Sequence, residues 1–416
     1  MTTDVNTTAA PPRALAPDIA RGLMLLMIAL ANAPWYAFDV PRGVLFSHAT
    51  DAAGTDRVWQ VISIIAIDAR SYPLFAFLFG YGIWQLHRRQ RAAGVDDRAV
   101  RRVLRRRHLW MIAFGAVHAL LLWYGDIVGA YGLVGLIVVA ALLGRSDRAL
   151  RITAWVLAGL IATGAVTSVV SAVTLQWLTQ SGLLGSWMPV GDAPFDLFAV
   201  FAVDDYGVSM AVRLAFWAVS TVGQLVALTV PLSVVLGMLA ARRGLLDAPQ
   251  DHRRILRGVA LGGIAVGWAG GAVTALQFAG ILPLETAFAW GLQGWHALTG
   301  VAGGIGYAAA FGLLAVRMHP NPGLIGGALQ AVGKRSLSCY LAQSVILAPL
   351  LSAWGLGLGY RLPPLMIAAI AVATWLVTVV GAVVLERAGK RGPAESLLRR
   401  LSYRSTPEAT PIPVAG

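Results

Sequence analysis

The amino-acid sequence predicts an all-α fold: a polytopic membrane helix bundle of about ten transmembrane helices, with both termini on the cytoplasmic side. Three observations carry that expectation. Of 416 residues, 57% are apolar and only 13% are charged, against roughly a quarter charged in ordinary soluble domains. Apolar runs recur along the chain at about the 20 residues a helix needs to cross hydrocarbon, because each residue rises only about 1.5 Å. Arg and Lys gather in alternate connections, as they do in the cytoplasmic loops of membrane proteins.

The elements follow in order. Met1 to Pro17 is polar and rich in Thr, Ala and Pro, and reads as a disordered lead. Residues 18–404 form one membrane domain, and 405–416 read as a matching tail. The first span is Ile19–Phe38. Arg57–Ala69 alternates polar and apolar residues and reads as an interfacial helix ahead of span two, Tyr72–Leu86. Spans three to five are Leu104–Tyr124, Ile127–Leu143 and Ile152–Leu178. Span six, Val208–Ala241, is too long for an upright helix, so tilt or a kink near Pro231 is expected. Spans seven to ten are Gly258–Leu282, Ala287–Val316, Ser336–Trp354 and Leu365–Leu385. Spans seven and eight carry glycines four apart (Gly263, Gly267, Gly271; Gly300, Gly304). That spacing lets helix backbones approach closely, and tight packing is the expected role rather than a substrate channel.

Charge sets the orientation. Of 33 Lys and Arg residues, five lie on one side of this topology: Arg42, Arg57, Arg70, Arg213 and Arg361. The other 28 lie at the termini and in the loops after even spans, including the run from Arg88 to Arg107. The acidic residues divide evenly, so the two sides carry +18 and −5 of the total +13. The arginine-rich side is the cytoplasmic one. The same placement excludes nucleic acid as a partner, since no basic stretch is long enough to form a domain of its own. Ala31-Asn32-Ala33 could pass for a signal-peptidase site, but the first span is expected to be retained.

The chemistry-bearing positions are polar groups inside apolar spans, which persist when paired, when lining a wet cavity or when needed for function. His118 lies fourteen residues beyond Leu104, about 20 Å up its helix. Asp126 follows at the Gly125 break. A carboxylate near an imidazole fixes its tautomer and raises its basicity, as a general base requires. Asp18 and Arg21 sit three apart at the start of span one, where they form a helix-terminal pair or a clamp for an anionic ligand. Asn32, Arg70 and Gln343 are the other candidate substrate-binding groups. His296 and the acidic loop from Thr179 to Gly207, a lid or a solvated loop, are weaker candidates. The sequence has no GxSxG elbow, no HExxH and no CxxC, so no metal and no bound cofactor is expected. Its one cysteine, Cys339, excludes an intramolecular disulfide. Gly327 to Arg335 lacks the spacing and the Ser/Thr of a phosphate loop.

Five stretches stand out: Asp18-Ile-Ala-Arg21-Gly22, the run Arg70-Ser-Tyr-Pro to Gly80-Tyr-Gly82, Phe114-Gly-Ala-Val-His118 with Tyr124-Gly-Asp126, Gly333-Lys-Arg-Ser to Gln343-Ser344, and Gly392-Pro-Ala-Glu395. Together they resemble the YeiB-like family of bacterial inner-membrane proteins. The matches are in order and span nearly the whole chain. Pro73, and Cys339 where the family more often has Asn, depart from its pattern. The resemblance implies a family-type C-terminal region at about 235–400 and a relation to membrane acyltransferases. It further implies a cytoplasmic acyl-CoA donor, an envelope glycan or lipid acceptor at the outer face, and catalytic roles for His118 and Asp126. The alternatives are a transporter or flippase for a lipid-linked or small polar molecule, and a non-catalytic scaffold. Membrane lipid is the expected surrounding, and a homo-oligomer is left open.

Overall fold

A computed structural model describes residues 14–42, 47–183 and 202–403. Most of the N-terminal lead, the middle of the 179–207 loop with Asp192 and Asp196, and the C-terminal tail lie outside the described residues.

The described residues are helical, with one isolated β-bridge between Arg42 and Ala49. Seven stretches are long and apolar enough to cross a membrane: Leu15–Tyr36, Gly54–Ala92, Asp147–Gln180, Tyr206–Val226, Arg253–Phe278, Ala287–Met318 and Pro364–Arg387. Three shorter apolar helices, Val128–Ala141, Thr229–Arg242 and Ser336–Leu351, accompany them. The helices that frame the site are α1 (Leu15–Asn32), α2 (Gly54–Ala66), α3 (Ser71–Ala92), α4 (Asp97–Leu121) and α5 (Val128–Ala141). After α6 (Asp147–Gln180) come α7 (Tyr206–Val226), α8 (Thr229–Arg242), α9 (Arg253–Phe278) and α10 (Leu292–Met318). The chain ends in α11 (Gly323–Lys334), α12 (Ser336–Leu351), the single turn α13 (Leu358–Arg361), α14 (Pro364–Arg387) and α15 (Pro393–Tyr403).

Local chemistry explains several boundaries. Asp96, Ser146 and Asp205 each accept backbone N–H bonds at the first turns of α4, α6 and α7, satisfying donors that lack partners inside the helix. Pro73 falls in the first turn of α3, where a missing N–H costs nothing, so it starts the helix rather than interrupting it. The long sixth segment is two helices, and the break is at Leu228, which takes a left-handed φ of 62°. Pro231 then sits in the first turn of α8. Its ring would clash with the Ala227 carbonyl in a continuous helix, so a break replaces the expected kink. The segment expected to be interfacial is helix α2, which abuts α9. Gly327–Arg335 falls mainly within α11, an element the periodicity left undivided from its surroundings.

The main core lies among α1, α3, α4, α5, α8 and α10. By contrast, α6, α9 and α14 turn rows of large apolar side chains outward, such as Trp155, Val166, Leu261 and Val380, the surface a lipid-facing helix presents.

Candidate functional site

His118 lies near the C-terminal end of α4, and Asp126 immediately precedes α5. The α4–α5 hairpin brings them together: His118 Nδ1 is 2.7 Å from Asp126 Oδ2, and both residues are buried. The second carboxylate oxygen accepts from Gly129 N–H at 2.8 Å and from Trp217 Nε1–H of α7 at 3.3 Å. With Nδ1–H donated to Asp126, the neutral ring keeps its lone pair on Nε2, the state a proton acceptor needs. Nε2 is buried and has no hydrogen-bond partner among the described residues. Gly115 makes the approach feasible, since a Cβ there would collide with the Asp126 carboxylate and the Gly129 backbone.

Two further side chains fix the pair. Arg213 of α7 donates to the Ala119 and Leu120 carbonyls at 3.3 and 2.9 Å and to Ser209 Oγ at 2.6 Å. Its guanidinium lies 5.1 Å from the ring centroids of both Tyr206 and Trp354, which pack edge-to-face on each other at 5.0 Å. A cation on the last carbonyls of α4 satisfies exposed acceptors and opposes the negative end of the helix dipole. Tyr340 of α12 sets its ring edge-on to the His118 imidazole, with centroids 5.3 Å apart, and its hydroxyl accepts from Ile127 N–H at 3.4 Å.

Two cavities approach this point from opposite ends of the same helices. The first, of about 660 Å³, opens among Arg21, Arg89, Arg107, Lys390 and Arg399 and penetrates to Met24, Met111, Val128 and Tyr340. The second, of about 450 Å³, is lined by Asn32, Trp35, Asp68, Gln224 and His296 and penetrates to Ile28, Tyr72 and Ile127. About one turn separates them on α1 (Met24 from Ile28) and α3 (Tyr72 from Phe75), and at the start of α5 they are lined by the adjacent residues Ile127 and Val128. His118 lines neither cavity; Tyr340 and Ile127 stand between it and them.

The other sequence candidates separate cleanly. Asp18 and Arg21 form an ion pair at 3.1 Å and line the basic cavity. Asn32 lines the second cavity. Gln343 is buried and donates to Leu25 O at 3.4 Å, tying α12 to α1 at the level of the partition. Arg70 lines neither of these two cavities. It is fully buried, donates to the carbonyls of Ile64 (3.2 Å), Asp68 and Gly267, and meets His296 at 3.1 Å. The glycines of α9 and α10 make its room, since a Cβ at Gly271 or Gly303 would strike the Arg70 side chain.

Sequence reasoning missed a second histidine–aspartate contact. His48 Nε2 lies 2.7 Å from Asp68 Oδ2, whose other oxygen accepts from Ser63 Oγ at 3.1 Å. Asp68 lines the second cavity beside His296. His48 sits outside any apolar run, and the twenty residues to Asp68 give no pattern that would have signalled the pair.

Fold and site together define a helical membrane protein with a buried histidine–aspartate pair at the partition between two opposed cavities. Residues 240–405 match the family model described as "Protein of unknown function (DUF418)". The chain is also 27% identical over 407 residues to "Uncharacterized protein YeiB" of Escherichia coli (strain K12), covering 93% of this chain and 96% of the relative. Both matches support a YeiB-like family for this chain.

Proposed function

We propose that this protein is an acyltransferase of the bacterial cytoplasmic membrane, with about ten spans and both termini cytoplasmic. It moves an acyl group from a CoA-type donor in the basic cavity to an acceptor, an envelope glycan or lipid, in the opposite one. The observation that carries this reading is the meeting of the two cavities at Ile127, Val128 and Tyr340, against the His118–Asp126 pair. The arginine bias supports the orientation. The seven long apolar helices, the three shorter ones and the apolar half of α4 support the span count if α7 and α8 are taken as one broken span.

In this reading the donor phosphates bind among Arg21, Arg89, Arg107 and Lys390, as charge-assisted bonds favour. Tyr340 swings aside. The imidazole Nε2 takes a proton from the acceptor hydroxyl or amine as that atom attacks the thioester carbonyl. A C–O or C–N bond forms, the C–S bond breaks, and the imidazolium returns the proton to the departing thiolate. Asp126 holds the ring and stabilises its charged form.

The test is purified protein with labelled acetyl-CoA and an envelope extract as acceptor. Transfer or slow hydrolysis is expected, falling about 10²–10⁴-fold in His118→Ala, the usual worth of a positioned acid–base group. Protein that neither binds nor turns over any acyl-CoA would overturn the reading. One observation favours a transporter instead: the broken α7–α8 segment, with Ala227 and Thr229 at its break, lines the second cavity, as discontinuous helices do in transporters. Flux in proteoliposomes without acyl-CoA would establish that alternative.

A further inference from the structure

His108 of α4 is fully buried, yet neither of its ring nitrogens has a hydrogen-bond partner among the described residues. Buried polar groups are nearly always satisfied, and an exception calls for a reason. A ring that only filled space here would be served by Phe or Leu, which leave no polar atom unpaired. The fold instead builds a slot for this ring. Phe79 meets it edge-on at 5.6 Å between centroids, and a Cβ at Gly135 would collide with it.

The slot adjoins the basic cavity; both ring nitrogens are sealed from it in this conformation, with Nε2 against Gly135 of α5, so a ligand there reaches them only when the ring turns. His108 lines it directly beyond Arg107, where the lining changes from cationic to apolar side chains such as Leu78, Phe79 and Met111. The cavity therefore has a cationic mouth, an apolar neck holding one imidazole, and Tyr340 at its closed end. His118 lies ten residues further along the same helix, about 15 Å away along its axis. A ligand that anchors at the mouth and reacts at the closed end must thread a slender, neutral, partly polar arm past His108.

We infer that His108 is a positioning residue for that arm, hydrogen-bonding an amide of the pantetheine portion of a CoA-type donor and so setting how far the thioester reaches toward His118. The inference rests on the acyltransferase reading. It explains why the neck carries an imidazole, which can donate at one nitrogen and accept at the other and so, once turned toward the cavity, can pair with either the carbonyl or the N–H of an amide.

The test separates the arm from the anionic head. Binding of CoA and of adenosine 3′,5′-bisphosphate, which has the head but no arm, is measured on the full-length detergent-solubilised protein. Three forms are compared: wild type, His108→Phe, which keeps the ring's shape, and His108→Gln, which restores hydrogen bonding. The expected result is CoA binding about tenfold weaker in His108→Phe, largely recovered in His108→Gln, with bisphosphate binding unchanged throughout. Wild-type and His108→Phe protein binding CoA equally well would overturn the role of His108 and leave the donor reading standing. An equal loss for both ligands would likewise overturn it, by pointing to a general disturbance of the cavity. Wild-type protein that binds neither ligand overturns both.

Discussion

At the scale of single residues, the buried groups differ in what removing them exposes. Asp126 accepts three hydrogen bonds, from His118, Gly129 and Trp217. Asp126→Asn retains the shape but offers an amide where His118 needs an acceptor, so the ring's tautomer is no longer fixed. Activity is expected to fall about 10–100-fold, the usual cost of losing such an orienting partner. Adding His118→Ala to Asp126→Asn should cost little more than His118→Ala alone, because the two act as a unit. Additive losses in an acyl-transfer assay would show that they do not. Arg70 is a different case, since its bonds go to backbone carbonyls and to His296 and it lines neither of the two cavities. Arg70→Met leaves Asp68 and those carbonyls short of their cation, and is expected to cost about 3 kcal/mol of stability. Chemical unfolding in micelles measures it, and a change within about 0.5 kcal/mol would contradict the structural role assigned to this arginine.

At the scale of elements, legibility followed sequence distance. The His118–Asp126 pair could be read in advance because eight residues and one glycine-broken turn separate its members. Trp217 and Tyr340 could not, because they come from α7 and α12, 91 and 213 residues from the groups they bond. The break at Leu228 was half legible. Pro231 signalled a disturbance, but whether a helix kinks or restarts depends on what neighbouring helices offer the freed backbone groups. The short connection between α3 and α4 is held by a half-buried cluster: Asp97 accepts from Arg101 Nε at 2.7 Å and from His87 Nε2 at 2.8 Å. The Arg101 hydrogen bond, followed by that from His87, lowers the Asp97 carboxyl from its ordinary value to about 2. A depressed carboxyl contributes stability that is complete above its unfolded pKa and is lost as pH falls through the folded value. Local opening of this connection, followed by amide exchange or protease cleavage, should therefore increase between about pH 4 and pH 2. Asp97→Asn should flatten that dependence, and an unaltered profile in the variant would assign it to another group.

At the scale of the whole molecule, one polarity runs through the fold. The end of α3, Arg107 of α4, the α11–α12 junction, the α14–α15 connection and Arg399 gather the cations around one cavity, while the second is lined by uncharged polar and apolar groups with Asp68. A thin partition between unlike cavities suits group transfer between compartments only if each cavity opens to a different side of the membrane. Topology is therefore the property on which every mechanistic step depends. The chain has a favourable background for testing it, because its single cysteine, Cys339, is buried and should react slowly with polar maleimides. Arg98→Cys places a thiol at the basic end, and Asp51→Cys places one at the other end, where the native side chain is exposed. In intact cells with a permeabilised outer envelope, an impermeant maleimide should label Asp51→Cys and spare Arg98→Cys until the membrane is opened. The reverse pattern would put the arginine cluster outside, where no acyl-CoA is available, and would remove the donor from the cavity whose charge selects it. Equal labelling of both would mean that the two ends share a compartment and that the partition at Tyr340 separates nothing.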